Sequence, residues 1–409
     1  MDYEKLLDFS LDIGYRLGMA GAETYRIEDT VHHIMNAYGI HAEAFAIPNC
    51  LHISIQAPTG KSITRMCRIG QHGTDLDAVE KLANLSRRVC SEKPDPCTAS
   101  QWLKEIENAH RYYGFTMYML GNFLGAFGFG ILFGGNAIDA VFAGICGLVI
   151  GFVNHIMNRL KANQFFRIIA ASFLMALFAY CIGHTNITKN TDAVIIGALM
   201  ILVPGLLFTN AMRDIIYGDT NSGINRIVQV FLIAAAIALG TAAAWNVSTV
   251  IFGQLSPAVV TSHHLLAELI PCFIACVGFL ILFNIHGAGG FLCAFGGLLT
   301  WAVYKLTVNI GGSEILAYFI GTVIAALYSE IMARIRKYPA ISYLVTSIFP
   351  LIPGAGIYYA VTYAVRGDIS NFTNKLLYTI AIAGAIAVGI LIGSTTVRLI
   401  TDYINKKNN

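Results

Sequence analysis

Residues 202–240 of this chain read LVPGLLFTNAMRDIIYGDTNSGINRIVQVFLIAAAIALG, and residues 351–389 repeat the pattern as LIPGAGIYYAVTYAVRGDISNFTNKLLYTIAIAGAIAVG. One constant shift of 149 residues (353 − 204) aligns the two copies without a gap, so Pro204-Gly205 falls on Pro353-Gly354. The match continues upstream with a shift of 150, where residues 131–133 and 281–283 both read Ile-Leu-Phe. A gapless register of this length indicates that the two halves are copies of one unit.

The repeat lies in a part of the chain that is too apolar for a water-soluble globule. Residues 1–112 hold 12 Lys/Arg and 15 Asp/Glu, whereas residues 113–409 hold only 15 and 9. A helix that crosses a bilayer needs about 20 mostly apolar residues. We therefore predict ten spans, at residues 113–133, 137–157, 165–184, 193–211, 224–245, 265–285, 288–308, 314–333, 341–362 and 376–396.

Basic residues predict the orientation of these spans, because they concentrate in cytoplasmic loops. With the N-terminus inside, the outer loops hold four basic residues: Lys189, Lys305, Arg366 and Lys375. The inner loops and tail hold eleven: Arg159, Lys161, Arg167, Arg213, Arg226, Arg334, Arg336, Lys337, Arg398, Lys406 and Lys407. Both termini are then cytoplasmic, and each half has five spans. An odd number of spans inverts the second half relative to the first, which is how secondary transporters are built, with the substrate site between the repeats.

The first 112 residues predict a small mixed α/β domain: helices near residues 6–17 and 23–37, three alternating strands, and two amphipathic helices. The N-terminus, MDYEKLLDFSLDIG, lacks the basic start and apolar core of a signal peptide, so we expect this domain to be cytoplasmic. The predicted fold class is an α-helical polytopic protein of the plasma membrane, with ten transmembrane helices in two inverted five-helix repeats. The predicted domains are residues 1–112, 113–260 and 261–409.

The second predicted helix carries a recognisable motif. Residues 21–31 read GAETYRIEDTV, which resembles the Gly-Ala-Glu-Thr-Tyr-Arg-x-Glu signature of the threonine/serine exporter family. The resemblance extends over the chain, with a soluble N-terminal part and ten spans in two halves. Related bacterial systems carry the second half as a separate chain and are linked to succinate export. The resemblance implies proton-coupled export of small hydroxy amino acids or of dicarboxylates. Its motif residues here are Gly21, Glu23, Thr24, Tyr25, Arg26 and Glu28.

The chemistry of this motif stays open at the level of sequence. Glu28 with His32, and Asp29 with His33, have a metal-compatible spacing of four residues, but no third ligand is evident. A hydrolytic constellation lacks a nucleophile beside a base. Helix-start hydrogen bonds with an interdomain ion pair are the favoured interpretation, and a regulatory ligand pocket is the alternative. We therefore expect neither a metal nor a cofactor.

The paired Pro-Gly sequences predict a substrate site in the membrane part. Proline removes a backbone hydrogen bond from a helix, so two matching pairs predict two broken helices that face each other near the midplane. Freed backbone groups and half-helix N-termini favour a polar substrate with a carboxylate. The predicted substrate-binding residues are Pro204, Gly205, Thr209, Asn210, Pro353, Gly354, Tyr358 and Tyr359, with Asn122 and Asn284 as weaker candidates in the first span of each half.

Proton coupling needs a titratable group in or beside a span, where such groups are costly. Five carboxylates qualify: Asp139, Asp214, Glu268, Glu314 and Glu330. Asp219 and Asp368, which follow glycines at the ends of repeat-related loops, are candidates for gating or for a structural turn.

The favoured function is a secondary exporter in which rocking of the two halves moves a small carboxylate-bearing solute out, most readily threonine or serine, with succinate as the alternative. A membrane-anchored enzyme or sensor acting through the N-terminal domain is the alternative of another class. A channel is disfavoured because the sequence has no carbonyl filter or ring of charges. The near-balanced charge gives no reason to expect nucleic acid as a partner. Besides substrate, protons and lipid, glycine-rich helix faces would allow a homo-oligomer.

Overall fold

The structure is a computed structural model that describes residues 2–56, 60–70, 73–255, 259–261, 263–287, 289–336, 340–365 and 367–408, with side chains left out at 365 and 402–408. Of the basic residues that predict orientation, Lys337 and Arg366 lie outside the described residues, and so do the side chains of Lys406 and Lys407. The described chain divides into two compact units. The first comprises residues 1–112, 214–226 and 283–285, and the second comprises residues 113–213, 227–282 and 286–409.

The first unit is built from short helices and one small sheet. Its elements are α1 (Tyr3–Met19), α2 (Thr24–Ala37), β1 (Ala42–Ile47), β2 (Cys50–Gln56), β3 (Ser62–Arg68), α3 (Leu76–Glu92) and α4 (Pro96–Ala109). The strands form an antiparallel sheet in the order β1-β2-β3, in which Ala44 pairs with Ile53 and Ile53 with Arg65.

The core of this unit follows from the spacing of its apolar residues. Leu6, Ile13 and Leu17 recur on one face of α1 and are fully buried. On β2, alternate residues such as Leu51 and Ile53 are buried too, as expected for a strand with one covered face. Helix α1 packs against this strand and against α2.

The turn between α1 and α2 requires glycine at position 21. Gly21 has φ +89°, a left-handed conformation, and an added Cβ would lie 2.2 Å from the carbonyl oxygen of Gly73. The motif thus begins with a residue that fixes how the chain enters α2.

The second unit is almost entirely helical. Its helices, two of which begin or end in the first unit, are α5 (Phe115–Leu132), α6 (Ala137–Arg159), α7 (Gln164–His184), α8 (Thr191–Leu199), α9 (Gly205–Tyr217), α10 (Thr220–Phe252), α11 (Leu265–Leu282), α12 (Gly289–Asn309), α13 (Glu314–Arg336), α14 (Ala340–Ile348), α15 (Gly354–Val365) and α16 (Ile369–Asn408). A short 3₁₀ turn, Phe349–Leu351, extends α14.

Within the described residues, eight helices are long and apolar enough to cross a membrane: α5, α6, α7, α10, α11, α12, α13 and α16. A ninth crossing is formed if α14 with its 3₁₀ turn and α15, which are bent by 51°, count as one span. The remaining predicted span, 193–211, falls on the two short helices α8 and α9, separated by residues 200–204. The chain is therefore a polytopic helical protein, and its described residues hold eight or nine candidate spans.

The two halves of this part present helices of similar length in the same order. Helices α5 and α11 both have 18 residues, and α8 and α14 both have 9. A helix of 13 residues then follows in the first half and one of 12 in the second. Each half ends in a long helix, α10 or α16.

Candidate functional site

Both Pro-Gly pairs lie where one helix ends and another begins. Helix α8 ends at Leu199 and α9 begins at Gly205, whereas the 3₁₀ turn ends at Leu351 and α15 begins at Gly354. At both breaks the glycine N–H donates to the carbonyl two residues earlier, at 2.9 Å for Gly205 and 2.7 Å for Gly354. Since proline has no N–H, neither preceding helix can continue through it.

The two breaks contact each other, and glycine is what permits the contact. A Cβ added to Gly205 would lie 2.1 Å from Ile352 Cγ2 and 3.4 Å from Gly354 Cα. A Cβ added to Gly354 would lie 2.9 Å from Val203 Cγ1. Distances under 3 Å force a shift of the neighbouring atoms. A larger side chain at either glycine would therefore separate the two breaks.

A cavity of about 240 Å³ opens beside the second break. Its walls are mostly apolar and aromatic, which is usual for small-molecule sites. Most of the lining belongs to the second half, with a contribution from α5 and the end of α8. The lining residues are Phe129, Leu132, Phe133, Met200, Trp301, Glu314, Tyr318, Pro350, Ile352, Pro353, Ala355, Gly356, Tyr359, Lys375, Tyr378, Thr379 and Ile382.

The cavity lining includes one carboxylate and one ammonium group. The Tyr378 hydroxyl donates a hydrogen bond to Glu314 Oε2, which fixes the carboxylate at the cavity wall. Lys375 has no ion-pair partner among the residues that the structure describes. Its Nζ lies 5.6 Å from the ring centroid of Tyr359 and 5.9 Å from that of Tyr378. The cavity therefore presents both signs of charge against aromatic walls.

Of the residues predicted to bind substrate, Pro353 and Tyr359 line this cavity, and Pro204, Gly205 and Gly354 form the paired breaks. The others lie beside it or elsewhere. Thr209 is fully buried, and its hydroxyl has no hydrogen-bond partner within the described residues. Asn210 is half-buried on α9. Tyr358 packs against the apolar core of the first half, and its ring centroid lies 5.5 Å from that of Tyr359.

The two asparagines lie away from the cavity. Asn122 is buried on α5 and donates to the carbonyl of Tyr118. The prediction that Asn284 lies in a span is wrong, because α11 ends at Leu282 and Asn284 has a left-handed φ of 57°. Its amide donates to Asp75 Oδ1 at 3.1 Å and to the Arg111 carbonyl at 3.1 Å, inside the first unit.

Three of the five carboxylates proposed for proton coupling have partners outside the cavity. Asp139 is fully buried and accepts backbone N–H groups of Asn136, Lys189 and Asn190, so it caps α6 and anchors a loop. Asp214 forms a buried ion pair with Arg226 in the first unit. Glu330 pairs with Arg334 one turn along α13.

The remaining two carboxylates lie in the second half of the helical unit. Glu268 is buried and accepts from Trp301 Nε1 at 3.1 Å and from Lys305 Nζ at 2.9 Å. Glu314 lines the cavity. It is the one proton-coupling candidate that the structure places in the cavity lining.

The repeat-related aspartates differ in environment. Asp368 is half-buried and accepts from the backbone and side-chain nitrogens of Asn371, at 3.1 and 2.7 Å, which lowers the pKa of its carboxyl and caps α16. Asp219 is partly buried between α9 and α10, and burial raises the pKa of its carboxyl.

The family motif contacts neither a metal cluster nor a nucleophile in the described part of the chain. Glu23 is buried at the start of α2, with Arg26 Nε 3.6 Å from its Oε2. Thr24 accepts from Arg226, and Tyr25 stacks on Tyr217. Glu28 Oε1 accepts the Ala46 N–H at 2.7 Å, and burial raises the pKa of this carboxyl.

A different cluster, which sequence reasoning missed, has metal-compatible geometry. Asp75 Oδ2 lies 2.7 Å from His110 Nε2, and Asp77 Oδ2 lies 3.2 Å from His110 Nδ1. Lys81 already pairs with Asp77 at 2.6 Å, and Asn284 donates to Asp75. The Lys81 ammonium group, the His110 imidazole and the Asn284 amide thus already occupy these carboxylates, and the cluster acts as a junction within the first unit.

Sequence reasoning also missed Lys375, Tyr378 and Thr379 in the cavity lining. One signal was present, since Lys375 is the repeat counterpart of Arg226 (226 + 149 = 375) and both positions are basic.

Comparisons with known proteins agree on one family. A family model described as a threonine/serine exporter matches residues 8–248, and one described as "Threonine/Serine exporter, ThrE" matches residues 268–396. A threonine/serine exporter of Corynebacterium glutamicum is 20% identical over 406 residues, covering 96% of this chain and 82% of the relative. A probable threonine/serine exporter of Mycobacterium tuberculosis is 22% identical over 408 residues, covering 95% and 76%. No solved structure matches the chain.

Proposed function

The chain belongs to the threonine/serine exporter family, and we propose that its cavity carries a zwitterionic amino acid, threonine or serine, out of the cell in exchange for protons. Membership of an exporter family together with its apolar helices makes the chain a multi-pass membrane protein with a small-molecule substrate. The specific solute, the coupling and the residues that bind are our inference.

The single observation that carries this proposal is the pair of opposite charges in one small cavity. Lys375 offers an ammonium group for a substrate carboxylate, and Glu314 offers a carboxylate for a substrate ammonium. A zwitterion pairs with both groups, whereas a dicarboxylate such as succinate would need a second cation, and Lys375 is the one cation in the described lining.

The rest of the cavity is suited to a short side chain with a hydroxyl. Its volume of about 240 Å³ is large enough for a small amino acid such as threonine. Two lining residues, Tyr359 and Thr379, carry hydroxyl groups, and the Thr379 hydroxyl donates to the Lys375 carbonyl at 2.6 Å. The paired breaks add backbone groups released from helical hydrogen bonding.

Glu314 supports a simple coupling mechanism. Its carboxylate holds either the substrate ammonium or a proton, but not both, because a protonated carboxyl no longer attracts the ammonium group. A proton that arrives from outside therefore releases the amino acid, and its release inside the cell restores the anionic site. Competition for one carboxylate gives exchange of proton for substrate.

The repeated helix order supports alternating access. Five predicted spans in each half would invert the second half, and the bias of basic residues predicts that both termini are cytoplasmic. Exchange of conformation between the halves would convert the open cavity of this state into its counterpart on the other side.

Proton-driven counterflow in proteoliposomes tests the proposal. The purified full chain is reconstituted with an imposed pH gradient, and uptake of labelled threonine, serine and succinate is followed. We expect gradient-dependent flux of threonine and serine, with little flux of succinate. Succinate as the preferred solute would overturn the assignment of a zwitterionic site.

Variants locate the path within the protein. Lys375→Met and Glu314→Gln should each abolish amino-acid flux driven by the pH gradient. Lys189→Met, which changes an exposed loop lysine, is the matched control and should transport normally. Gly205→Leu and Gly354→Leu should stop flux by separating the breaks. Flux that survives Lys375→Met and Glu314→Gln would place the substrate site elsewhere.

A further inference from the structure

The start of α2, which carries the family motif, contacts the segment that joins α9 to α10. This segment, residues 214–226, is called here the first connection, and it belongs to the same compact unit as the N-terminal domain. Thr24 Oγ1 lies 3.4 Å from Arg226 Nη2, which donates to it. The ring of Tyr25 stacks on Tyr217 with centroids 5.6 Å apart and an interplanar angle of 9°.

A buried ion pair closes the first connection on itself. Arg226 Nε lies 2.9 Å from Asp214 Oδ2, and the two side chains are 9% and 2% exposed. Asp214 is near the end of α9 and Arg226 near the start of α10. The pair therefore ties together the ends of two helices, one of which begins at the Pro204-Gly205 break.

The repeat gives Arg226 a counterpart in the cavity. The shift of 149 residues places Arg226 on Lys375, seven residues after the matching Asp219 and Asp368. Lys375 lines the cavity and has no ion-pair partner among the described residues, whereas Arg226 is held by a carboxylate and a hydroxyl. The same basic position of the repeat thus has no ion-pair partner among the described residues of the second half, whereas in the first half it is paired with a carboxylate.

We propose that Arg226 is the carboxylate-binding residue of the opposite, cytoplasm-facing state, and that Asp214, Thr24 and Tyr25 form a lock that occupies it in the present state. This inference rests on the proposed function, because it takes the two halves to exchange conformation during transport. The Asp214 carboxylate holds the guanidinium as the substrate carboxylate would. Opening of the first half moves Arg226 from Asp214 to the outgoing amino acid.

The lock also gives the family motif a role. Thr24 and Tyr25 lie on α2 of the N-terminal domain, so this domain adds a hydrogen bond and an aromatic stack to the ion pair that must open. Burial raises the pKa of the Glu28 carboxyl, and the charge of Asp219 in the first connection raises it further. The motif therefore sets how readily the first connection is released.

A charge swap separates a binding role for Arg226 from a structural one. The double variant Asp214→Arg/Arg226→Asp keeps a buried ion pair but removes the cation from position 226. We expect it to fold, with the melting temperature of the native chain, and to lose threonine flux by more than about tenfold, since a charged hydrogen bond to substrate is lost. Arg226→Lys, which keeps the cation, should retain measurable flux. Recovery of native flux in the charge-swapped chain would show that Arg226 is a structural partner alone and would overturn the binding role.

The lock is tested without reference to transport by thiol labelling of the full chain in detergent. Ser222 is 2% exposed in the first connection, and Ser222→Cys places a thiol there with little change in size. Labelling by a maleimide is read by mass spectrometry of the peptide, so the native cysteines stay in place. Adding Tyr25→Ala should raise the labelling rate by about two- to tenfold, as expected for loss of an aromatic pair. Phe45→Ala, which removes an exposed ring on β1, should leave the rate unchanged.

The two experiments distinguish failure of the lock from failure of the proposed function. A labelling rate that Tyr25→Ala leaves unchanged overturns the lock, whether or not the chain transports threonine. Absent flux in the native chain, with labelling that responds to Tyr25→Ala, overturns the proposed function and the binding role of Arg226 but supports the lock. Flux that is lost in the charge-swapped chain and kept in Arg226→Lys, with responsive labelling, supports the whole inference.

Discussion

The two connections that join the last helices of each half have the same place in the repeat and different surroundings. The first connection, residues 214–226, contains the buried Asp214–Arg226 ion pair and lies in the compact unit of the N-terminal domain. The second connection, residues 363–375, has Tyr363 in place of Asp214 and lies in the helical unit, where Lys375 lines the cavity. A repeated sequence has thus kept its helix breaks while its polar residues took separate roles.

The aspartates at the two turns also differ, because the pKa values of their carboxyls are shifted in opposite directions. Burial raises the pKa of the Asp219 carboxyl, whereas hydrogen bonds from Asn371 lower that of Asp368. Both aspartates are half-buried, so the two turns differ in what stabilises their carboxyls rather than in exposure. The following predictions test that difference.

The largest expected effect is a difference between the two matched basic positions: substitution of Arg226 should lower stability, whereas substitution of Lys375 should affect transport alone. Arg226→Met leaves the Asp214 carboxylate buried without its guanidinium, and we expect it to cost about 3–5 kcal/mol of stability. Lys375→Met removes a cation that has no ion-pair partner in the described chain, so stability should change by less than about 0.5 kcal/mol while flux is lost. Chemical unfolding of the full chain in detergent measures both. Equal losses of stability in the two variants would contradict the comparison.

A smaller effect is expected from removing one aromatic ring at a time, either Tyr25 beside the first connection or Tyr359 in the cavity lining. Tyr25→Ala removes the stack on Tyr217 and should weaken the first connection by about 0.5–1.5 kcal/mol, without changing the affinity for external threonine. Tyr359→Ala, in the cavity lining, should weaken external threonine binding and leave Ser222→Cys labelling unchanged. Competition binding and labelling rates on the same preparations provide the two measurements. A change in both properties for either variant would mean that the two sites are not separable.

The smallest effect is a pH dependence of opposite sign at the two turns. The pKa values of Glu28 and Asp219 are raised above their ordinary values of 4.5 and 3.8, so the docked state binds protons more tightly than the released one. Docking of the first connection should therefore strengthen as pH falls from neutral toward those values. The pKa of Asp368 is lowered, so its contribution is full above 3.8 and is lost as pH falls through the lowered pKa.

Thiol labelling of Ser222→Cys between pH 7 and pH 5, corrected for the thiolate fraction with a free cysteine, measures the first effect. We expect the corrected rate to fall with pH, and the additional substitutions Glu28→Gln and Asp219→Asn should remove that dependence. A corrected rate that rises on acidification would have the wrong sign for carboxyls with raised pKa values.

The positions of the helices follow from the sequence alone. Eight of the predicted spans coincide with single helices that are long and apolar enough to cross a membrane. The breaks at Pro204 and Pro353 were predictable too, because the missing N–H of proline acts within its own turn of helix. These are local properties, set by hydropathy over about 20 residues and by backbone chemistry.

Tertiary packing determines which side chains that are distant in the sequence contact each other. Asp139 has the sequence context of a membrane carboxylate, but folding places it against the backbone of Lys189 and Asn190, 50 and 51 residues away. Asn284 reaches Asp75 across 209 positions, and Thr24 reaches Arg226 across 202. Glu314 begins one predicted span and Lys375 precedes another, and the packing of α13 against α16 brings both to one cavity. The sequence determined where helices form and break, since those free energies are local. Which charges share a site depends on the packing of several helices at once, and only the folded chain contains that information.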